Sequence, residues 1–347
     1  MERQNKFWIW AASAVGVVIV IGLIFWFVGS KIRESRQGSP SSNFDVQTTP
    51  DLKNVALKFD KPAATTNPLP DPNGPFFHKV YLATSNDGIN FERTGQLIMD
   101  KSSVPDIVEA YGVLFIYAVD GAERSNSGFM IARSFDEGKT WEQGSLQMKS
   151  GESFTGAVDP QVVLTSEGKI RLFYLKLVAQ TAMNPQGQII DKEKLASIRS
   201  AISEDGVSFT PENGARFETT DFVTTDPDVI RIGNRWFMYL SKGPELVAAT
   251  SADGDNFSLL QSIRANGSVS KTVSVAENQY RQFYCSKDGI KSAISADGLG
   301  WQEEAGFRLA AQGEIICDPS PIKIDDKWLL IYKLATGQNN PVPPSPK

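Results

Sequence analysis

Residues 225–240, TDPDVIRIGNRWFMYL, predict two antiparallel strands joined by a tight turn. β-branched and aromatic residues fill both halves, and Gly233-Asn234 supplies the backbone freedom that a two-residue hairpin needs. The same pattern recurs in four other places, two of which are looser copies. The copies are residues 104–117, 158–174, 270–284 and 317–332.

A second motif, Ser-x-Asp-x-Gly followed by an aromatic residue, alternates with the hairpins and varies by one residue in its spacing. Its serine and aspartate side chains can accept hydrogen bonds from nearby backbone N–H groups, and its glycine can take a positive φ. We therefore predict five turns of one kind. They begin at Ser85, Ser134, Ser203, Ser251 and Ser295, and their aromatic residues are Phe91, Trp141, Phe209, Phe257 and Trp301.

The spacing of these motifs predicts an all-β, five-bladed β-propeller. The serines are 49, 69, 48 and 44 residues apart, and a period in the forties with about four strands per repeat is typical of propeller blades. Because the first turn precedes every hairpin, we expect N-terminal strands near residues 79–84 and 91–98 to complete the blade that the C-terminal strands begin. The propeller is assigned to residues 77–335. An insertion at 178–196 explains the longest interval and is a candidate for a specificity loop.

Composition and charge exclude several classes of function. The formal net charge is −5, and no cluster of Lys and Arg lies in the repeats, so we expect no nucleic-acid partner. The sequence contains one histidine, His78, and this count excludes chemistry that needs paired histidines and any His-rich metal site. We expect a monomeric propeller without a metal or a cofactor.

Residues 7–28 form an uncharged, mostly apolar run that is long enough to cross a bilayer core of about 30 Å. A cleaved signal peptide is the alternative, but the run lacks a small-residue cleavage site, which favours a single transmembrane helix within an anchor at residues 1–29. We expect the propeller to lie outside the cytoplasm, although the basic residues on the two sides of the run indicate the opposite orientation. Residues 30–76 are expected to form a flexible stalk, and residues 336–347 a disordered tail.

The two cysteines, Cys285 and Cys317, fall in neighbouring predicted blades. A disulfide would require their Cβ atoms to approach within about 4.5 Å. Their spacing in the sequence does not establish such an approach, and we expect two buried thiols.

Aspartates recur at the starts of the first strands of the blades, which line the central channel of a propeller. Converging carboxylates repel one another, so at least one pKa should rise, as a general acid requires. An aspartate before a proline can also simply accept hydrogen bonds from backbone N–H groups. Both roles stay open for Asp159 and Asp226, whereas a structural role is favoured for Asp318. The set that we expect to converge at one mouth of the channel is Asp106, Asp159, Asp226, Asp228 and Asp318.

The five blades, the Asp-Pro pairs and the turns together resemble the five-bladed glycoside hydrolases, a group that includes arabinanases, β-xylosidases and invertases. The Ser-x-Asp-x-Gly turns are similar to the Asp boxes of sialidases. The resemblance covers residues 77–334 and implies that the protein acts on carbohydrate. Sialidase activity is not expected, because the sequence lacks the Phe/Tyr-Arg-Ile-Pro motif of those enzymes.

In arabinanase-like enzymes, the first three blades supply a base Asp, an Asp that tunes the acid, and a general-acid Glu. Asp159 matches the second position. Val104 stands at the first, with Asp106 two residues along the strand, and Asp226 stands where the family has Glu. The resemblance thus implies Asp106, Asp159 and Asp226 as the catalytic residues. Glu109, Glu152 and Glu314 stay open as replacements for the acid.

Because two of these three positions differ from the family pattern, two functions stay open. One is a membrane-anchored, inverting glycoside hydrolase in which Asp106 or Asp226 activates water. The other is a non-catalytic propeller that binds a glycan or a protein through the same mouth.

Overall fold

Five sheets, each built on one of the repeated hairpins, form the blades of a β-propeller. The computed structural model describes residues 52–69, 71–149, 156–177 and 197–335. The first strand of each sheet contacts the first strands of two other sheets, so the five close into a ring around a channel. The fold class predicted from the repeat spacing, an all-β five-bladed propeller, is confirmed.

The described residues contain 23 strands and two short 3-10 helices, Leu52–Asn54 and Pro75–Phe77. The strands are β1 His78–Ser85, β2 Glu92–Asp100, β3 Ser102–Ala110, β4 Val113–Asp120, β5 Phe129–Ser134, β6 Glu142–Ser145, β7 Gln147–Met148, β8 Ala157–Leu164, β9 Ile170–Lys176, β10 Ser197–Ser203, β11 Ser208–Pro211, β12 Phe217–Glu218, β13 Thr225–Ile232, β14 Arg235–Lys242, β15 Glu245–Ser251, β16 Ser258–Arg264, β17 Ser270–Ala276, β18 Gln279–Ser286, β19 Gly289–Ser295, β20 Gln302–Glu303, β21 Leu309–Ala310, β22 Ile315–Ile324 and β23 Lys327–Ala335.

From the channel outwards, blade I consists of β3-β4-β5-β6, blade II of β8-β9-β10-β11, and blade III of β13-β14-β15-β16. Blade IV consists of β17-β18-β19-β20, and blade V of β22-β23-β1-β2. Three short strands extend these sheets: β12 pairs with β10, β21 pairs with β19, and β7 lies parallel to β11.

Blade V closes the ring by joining the two ends of the described chain. Strand β1 pairs with β23 along its whole length, from His78 opposite Ala335 to Ser85 opposite Trp328. This pairing leaves neither terminal strand with a free edge on that side, and free edges are the usual templates for aggregation. The predicted closure of the last blade by N-terminal strands is confirmed.

The five Ser-x-Asp-x-Gly turns share one set of local hydrogen bonds. In each turn the glycine N–H donates to the serine Oγ at 2.8–3.0 Å. The aspartate accepts hydrogen bonds from backbone N–H groups that follow it. In the turn of blade I, such a bond from the Thr140 N–H is the largest cause that lowers the pKa of Asp136 to about 2. Each turn is therefore stabilised by its own side chains.

These turns also tie neighbouring blades together. In four of the five interfaces, a side chain on the second strand of one blade donates to a carbonyl in the turn of the next blade. The donor and acceptor pairs are Tyr117 and Gly206 at 2.7 Å, Arg171 and Gly254 at 3.1 Å, Tyr239 and Gly298 at 2.7 Å, and Arg281 and Gly88 at 3.2 Å. The face that carries the turns is thus bonded around most of the ring.

Part of the predicted stalk packs against blade I instead of standing free. Leu52 is buried, and the buried guanidinium of Arg133 donates to the carbonyls of Leu52 and Val55 at 2.9 and 2.6 Å. The Ser145 N–H donates to the Lys58 carbonyl at 2.9 Å, so the segment runs beside β6. The propeller unit therefore begins before residue 77, the boundary expected from the sequence.

The two cysteines form a disulfide between blades IV and V, so the expectation of two buried thiols is wrong. Cys285 lies on β18 and Cys317 on β22, and their Cα atoms are 5.1 Å apart. The interface brings the end of one strand against the start of another. The sequence pattern assigned both residues to adjacent blades but did not specify the register that makes them meet.

Several predicted segments lie outside the described residues: the apolar run at 7–28, residues 30–51 of the stalk, the insertion at 178–196, Glu152 and the tail at 336–347. Among the residues that are described, no helix is both long and apolar enough to cross a membrane.

Candidate functional site

A residue in a left-handed backbone conformation at the start of the first strand of each blade shapes the mouth of the channel. Its φ is 50° to 56°, a conformation that is uncommon for residues other than glycine, and in blades I, II, III and V the residue lies in a β-bulge. These residues are Val104, Asp159, Asp226, Val269 and Asp318. We call this set the mouth ring.

Two residues further along each strand lies a second set, which we call the throat ring: Asp106, Gln161, Asp228, Lys271 and Ser320. Residues of both rings line a cavity of about 30 Å³. A cavity measured in this way needs about 10–15 Å³ to hold one water molecule, so the throat has room for water but not for a sugar ring. A larger ligand must sit on the face outside it.

Three carboxylates of the mouth ring interact with one another and with one lysine. The Asp226 N–H donates to Asp159 Oδ2 at 3.2 Å, which links blades II and III. Asp318 Oδ2 lies 2.7 Å from Lys333 Nζ, and both side chains are largely buried. The mouth therefore combines aspartates from blades II, III and V with a lysine from the second strand of blade V.

Burial and mutual repulsion alter the acidity of this cluster. Burial, followed by the charge of Asp226, raises the pKa of Asp159 well above its usual range. Burial, followed by the charge of Asp318, also raises the pKa of Asp226. Burial opposes the charged form of Lys333, but Asp318, Asp226 and Asp159 outweigh it and raise the pKa of Lys333. These shifts favour the protonated form of a carboxyl that lies next to a buried ion pair, and a protonated carboxyl can act as a general acid.

Sequence reasoning missed Lys333 and assigned Asp318 a structural role. Lys333 lies opposite Cys317 in the pairing of β22 with β23, which brings its side chain to the mouth. Its signal in the sequence is a single lysine that interrupts the apolar run from Leu329 to Leu334.

Asp106 lies in the throat ring, where protein groups saturate its carboxylate. Oδ2 accepts hydrogen bonds from the Val162 N–H at 2.7 Å and from Lys271 Nζ at 2.6 Å, and Oδ1 accepts one from Ser320 Oγ. The mouth position of blade I is occupied by Val104 instead. Asp106 lines the same cavity as Asp159 and Asp226, but it does so from the throat, because the bulge breaks the alternation that would place residues 104 and 106 alike.

Asp228 is also part of the throat. It is fully buried, and burial raises its pKa. Its carboxylate accepts hydrogen bonds from the Thr272 N–H at 3.0 Å, from Thr272 Oγ1 at 2.6 Å and from Ser270 Oγ at 3.0 Å. These bonds join blades III and IV, so Asp228 stabilises the ring rather than facing a ligand.

Two of the replacement acids considered from the sequence lie away from the mouth. Glu109 is exposed near the far end of β3, opposite Leu114. Glu314 forms an ion pair with Arg93 on the outermost strand of blade V. Neither supplies the general acid that the resemblance would place on blade III.

His78 lies at the rim of the mouth. Its Nδ1 is 2.9 Å from Ser103 Oγ, and burial, followed by the charge of Lys333, lowers the pKa of His78 to about 4. The imidazole is therefore neutral at pH 7.

Within the described ranges, the one close group of side chains of metal-ligand type is Cys285, Cys317 and Asp318. The disulfide takes both sulfur atoms out of the thiolate form that binds metals.

The first prediction concerns the throat. Asp106→Asn should lower the free energy of unfolding by about 3–5 kcal/mol, because it leaves the buried Lys271 ammonium without its counter-charge. Urea unfolding measures the loss. Asp326→Asn, at an exposed turn, is the matched control, and adding Lys271→Met to Asp106→Asn should restore most of the stability. A single variant as stable as the control would contradict the assignment.

The second prediction concerns the proton on Asp159. A carboxyl whose pKa is raised by folding favours the folded state at pH values below about 4, and this contribution is lost as the pH rises. An asparagine at position 159 stays uncharged, so Asp159→Asn does not lose this stability as the pH rises. The amide oxygen of the asparagine can still accept a hydrogen bond from the Asp226 N–H. We therefore expect the variant to be more stable than the wild type at pH 7, by about 1.4 kcal/mol for each unit by which folding raises the pKa.

Denaturant unfolding at pH 4 and pH 7 tests this sign. The difference between Asp159→Asn and the wild type should shrink towards pH 4. At pH 7, Asp318→Asn should be less stable than the wild type, because it breaks the ion pair with Lys333. A destabilising effect of Asp159→Asn that grows from pH 4 to pH 7 would contradict the assignment.

No protein-family profile and no curated protein sequence matches this chain. Solved structures do match it. A thermostable family-43 glycoside hydrolase has 16% sequence identity and a TM-score of 0.51, over 69% of this chain and 86% of its own. An endo-arabinase from Bacteroides thetaiotaomicron has 14% identity and a TM-score of 0.50, over 66% of this chain and 88% of its own. At such identities the likeness shows the fold alone: the chain has the five-bladed propeller architecture that these carbohydrate-acting proteins have.

Proposed function

We propose that the propeller acts on carbohydrate at the mouth ring, as a hydrolase of O-glycosidic bonds. The observation that carries this proposal is the largely buried cluster of Asp159, Asp226 and Asp318, in which burial and mutual repulsion raise the pKa of Asp159 and of Asp226. Glycoside hydrolysis needs one carboxyl that is protonated and one that is ionised beside the scissile bond. Two solved structures of similar fold, one named as a glycoside hydrolase and the other as an endo-arabinase, support the proposal.

Asp159 and Asp226 are the proposed acid–base pair. One carboxyl donates its proton to the glycosidic oxygen as the bond to the anomeric carbon breaks. The other accepts a proton from the water that attacks this carbon, so the pair keeps its total proton count. Asp318 and Lys333 form the neighbouring ion pair, whose negative member raises the cost of ionising both acids.

The proposal departs from the family pattern in two respects, of which the first is Asp226 at the position where the family has Glu. In the arabinanase-like enzymes, blade I supplies a base, but here Val104 occupies that mouth position and Asp106 is bonded into the throat. The chemistry must therefore come from blades II, III and V. The same departure favours the second candidate function, a propeller that binds a glycan at this mouth without cleaving it.

Turnover of chromogenic glycosides separates the two candidates. A panel of arabinofuranosides, xylosides and other pentosides should contain a substrate, and Asp159→Asn and Asp226→Asn should each lower its kcat by about 100- to 10,000-fold. Asp326→Asn, on the opposite face, should keep wild-type turnover. Circular dichroism establishes that each variant is folded.

Unchanged turnover in both mouth variants would remove these aspartates from the mechanism. Saturable glycan binding by the wild type with no released product, over hours at pH 4 to 8, would establish the non-catalytic function instead.

We also propose that the propeller is held outside the cytoplasm by an anchor at residues 7–28. The disulfide between Cys285 and Cys317 supports this, because disulfides persist mainly in oxidising compartments. In bacteria that express the full chain, both cysteines should resist maleimide labelling unless a reductant is added, and protease added to spheroplasts should digest the propeller. A variant that lacks residues 1–49 is the control and should be labelled without reductant. Labelling of the full chain without reductant, with protection from external protease, would refute the location.

A further inference from the structure

A second, larger cavity adjoins the mouth on the side of blades IV and V. Its volume is about 550 Å³, within the range of small-ligand sites. Its walls come from the turn after β14, the segment before β17, the turn after β18 and the start of β22. Val269 lines both this cavity and the throat, and Cys317 precedes Asp318, so the cavity opens beside the mouth ring.

Two lysines give this cavity an excess of positive charge in a protein of net charge −5. Lys287 and Lys291 line it, and Glu303 is the one carboxylate among its described lining residues. Neither lysine forms an ion pair with a carboxylate elsewhere in the described ranges, where the paired lysines are Lys139, Lys169, Lys242, Lys271 and Lys333. An anionic ligand would supply the missing counter-charge.

The cavity also presents a hydroxyl that lacks a hydrogen-bond partner. Tyr284 is 3% exposed, and Arg264 lies over its ring at 4.0 Å. Its Oη is buried near the Glu303 carboxylate but makes no hydrogen bond of normal geometry with any described residue. Burial raises the pKa of Tyr284 to about 12, so the hydroxyl is a donor at neutral pH. A buried donor without a partner is costly unless a ligand or water satisfies it.

We infer that this cavity binds the acidic sugar unit of a glycan whose neighbouring glycosidic bond lies at the mouth ring. The inference rests on the proposed function, and it names the substrate class as glycans that contain uronic acid. The sugar carboxylate pairs with Lys287 and Lys291, and a sugar oxygen accepts the Tyr284 hydroxyl. Ile315, Pro244 and the disulfide supply the apolar surface for the C–H groups of the ring.

Calorimetric titration of the full chain in detergent tests the site. The probes are trigalacturonate, the uncharged xylotriose, and a trisaccharide without carboxylates that carries sulfate groups, each at 50 and 300 mM salt. We expect trigalacturonate to bind at least 10-fold more tightly than xylotriose at 50 mM salt, with a smaller margin at 300 mM because salt screens the two lysines. Tighter binding of the sulfated probe than of trigalacturonate would overturn the uronic-acid assignment in favour of a sulfated glycan.

Matched variants locate the preference. Lys287→Met with Lys291→Met should weaken trigalacturonate binding by about 10-fold or more and change xylotriose binding less than 2-fold. Lys323→Met with Lys327→Met removes the same charge from the exposed opposite face, and binding should stay as in the wild type. Tyr284→Phe should weaken binding without altering the net charge. Equal losses in the two double variants would overturn the inference, since they would show only a net-charge effect.

The two proposals fail separately. If trigalacturonate binds in a way that depends on Lys287 and Lys291, but no glycoside is turned over, the ligand assigned to the cavity is supported and hydrolysis is refuted. Turnover that needs Asp159 and Asp226, with no preference for acidic over neutral glycans, would retain hydrolysis and refute the cavity assignment.

Discussion

A left-handed residue at the start of each first strand, set in a β-bulge in four of the five blades, determines the shape of the channel. Five residues there have φ values of 50° to 56°, a conformation that costs an L-residue about 1–2 kcal/mol. Aspartate tolerates it better than most residues, whereas β-branched valine is among the least suited. The presence of Val104 and Val269 at two of the positions indicates that closure of the ring, rather than local preference, imposes the left-handed conformation. Everything at the mouth and throat is positioned by it.

The bulge divides the acidic residues of the channel into two groups that differ in their hydrogen-bond and ion-pair partners. In the throat, Asp106 and Asp228 have a full set of partners, including the Lys271 ammonium and the Thr272 N–H. In the mouth, Asp159 accepts a hydrogen bond from the Asp226 N–H, and Asp226 accepts one from the Thr225 hydroxyl, beside the ion pair of Asp318 and Lys333. Removing charge from water costs several kcal/mol unless partners compensate. The throat therefore contributes to folding, while the mouth retains a destabilised charge arrangement of the kind that active sites use.

The architecture was predictable from sequence because propeller repeats are local. Ser85, Ser134 and their counterparts mark turns whose hydrogen bonds form within five residues, so spacing alone gave the blade count and the closure by N-terminal strands. The site was less predictable. Nothing in the Asp-Pro pattern showed that Val104 and Asp106 would lie in different rings, because a bulge depends on the strand opposite. Lys333, the disulfide and the packing of Leu52 depend on contacts between blades or distant segments, which a periodic pattern does not encode.

The two faces of the propeller use their polar groups differently. On the turn face, serine and aspartate side chains bond their own backbone, and Tyr117 and Arg171 bond across blades. On the mouth side, Gln161 Oε1 and Tyr284 Oη are buried without protein partners among the described residues. The valines of blades I and IV interrupt the ring of carboxylates, so the mouth has an acidic side at blades II and III and an apolar gap at blade IV. A ligand that enters over Val269 would cross this gap, placing its charged end among the lysines and its neutral bond beside Asp159 and Asp226.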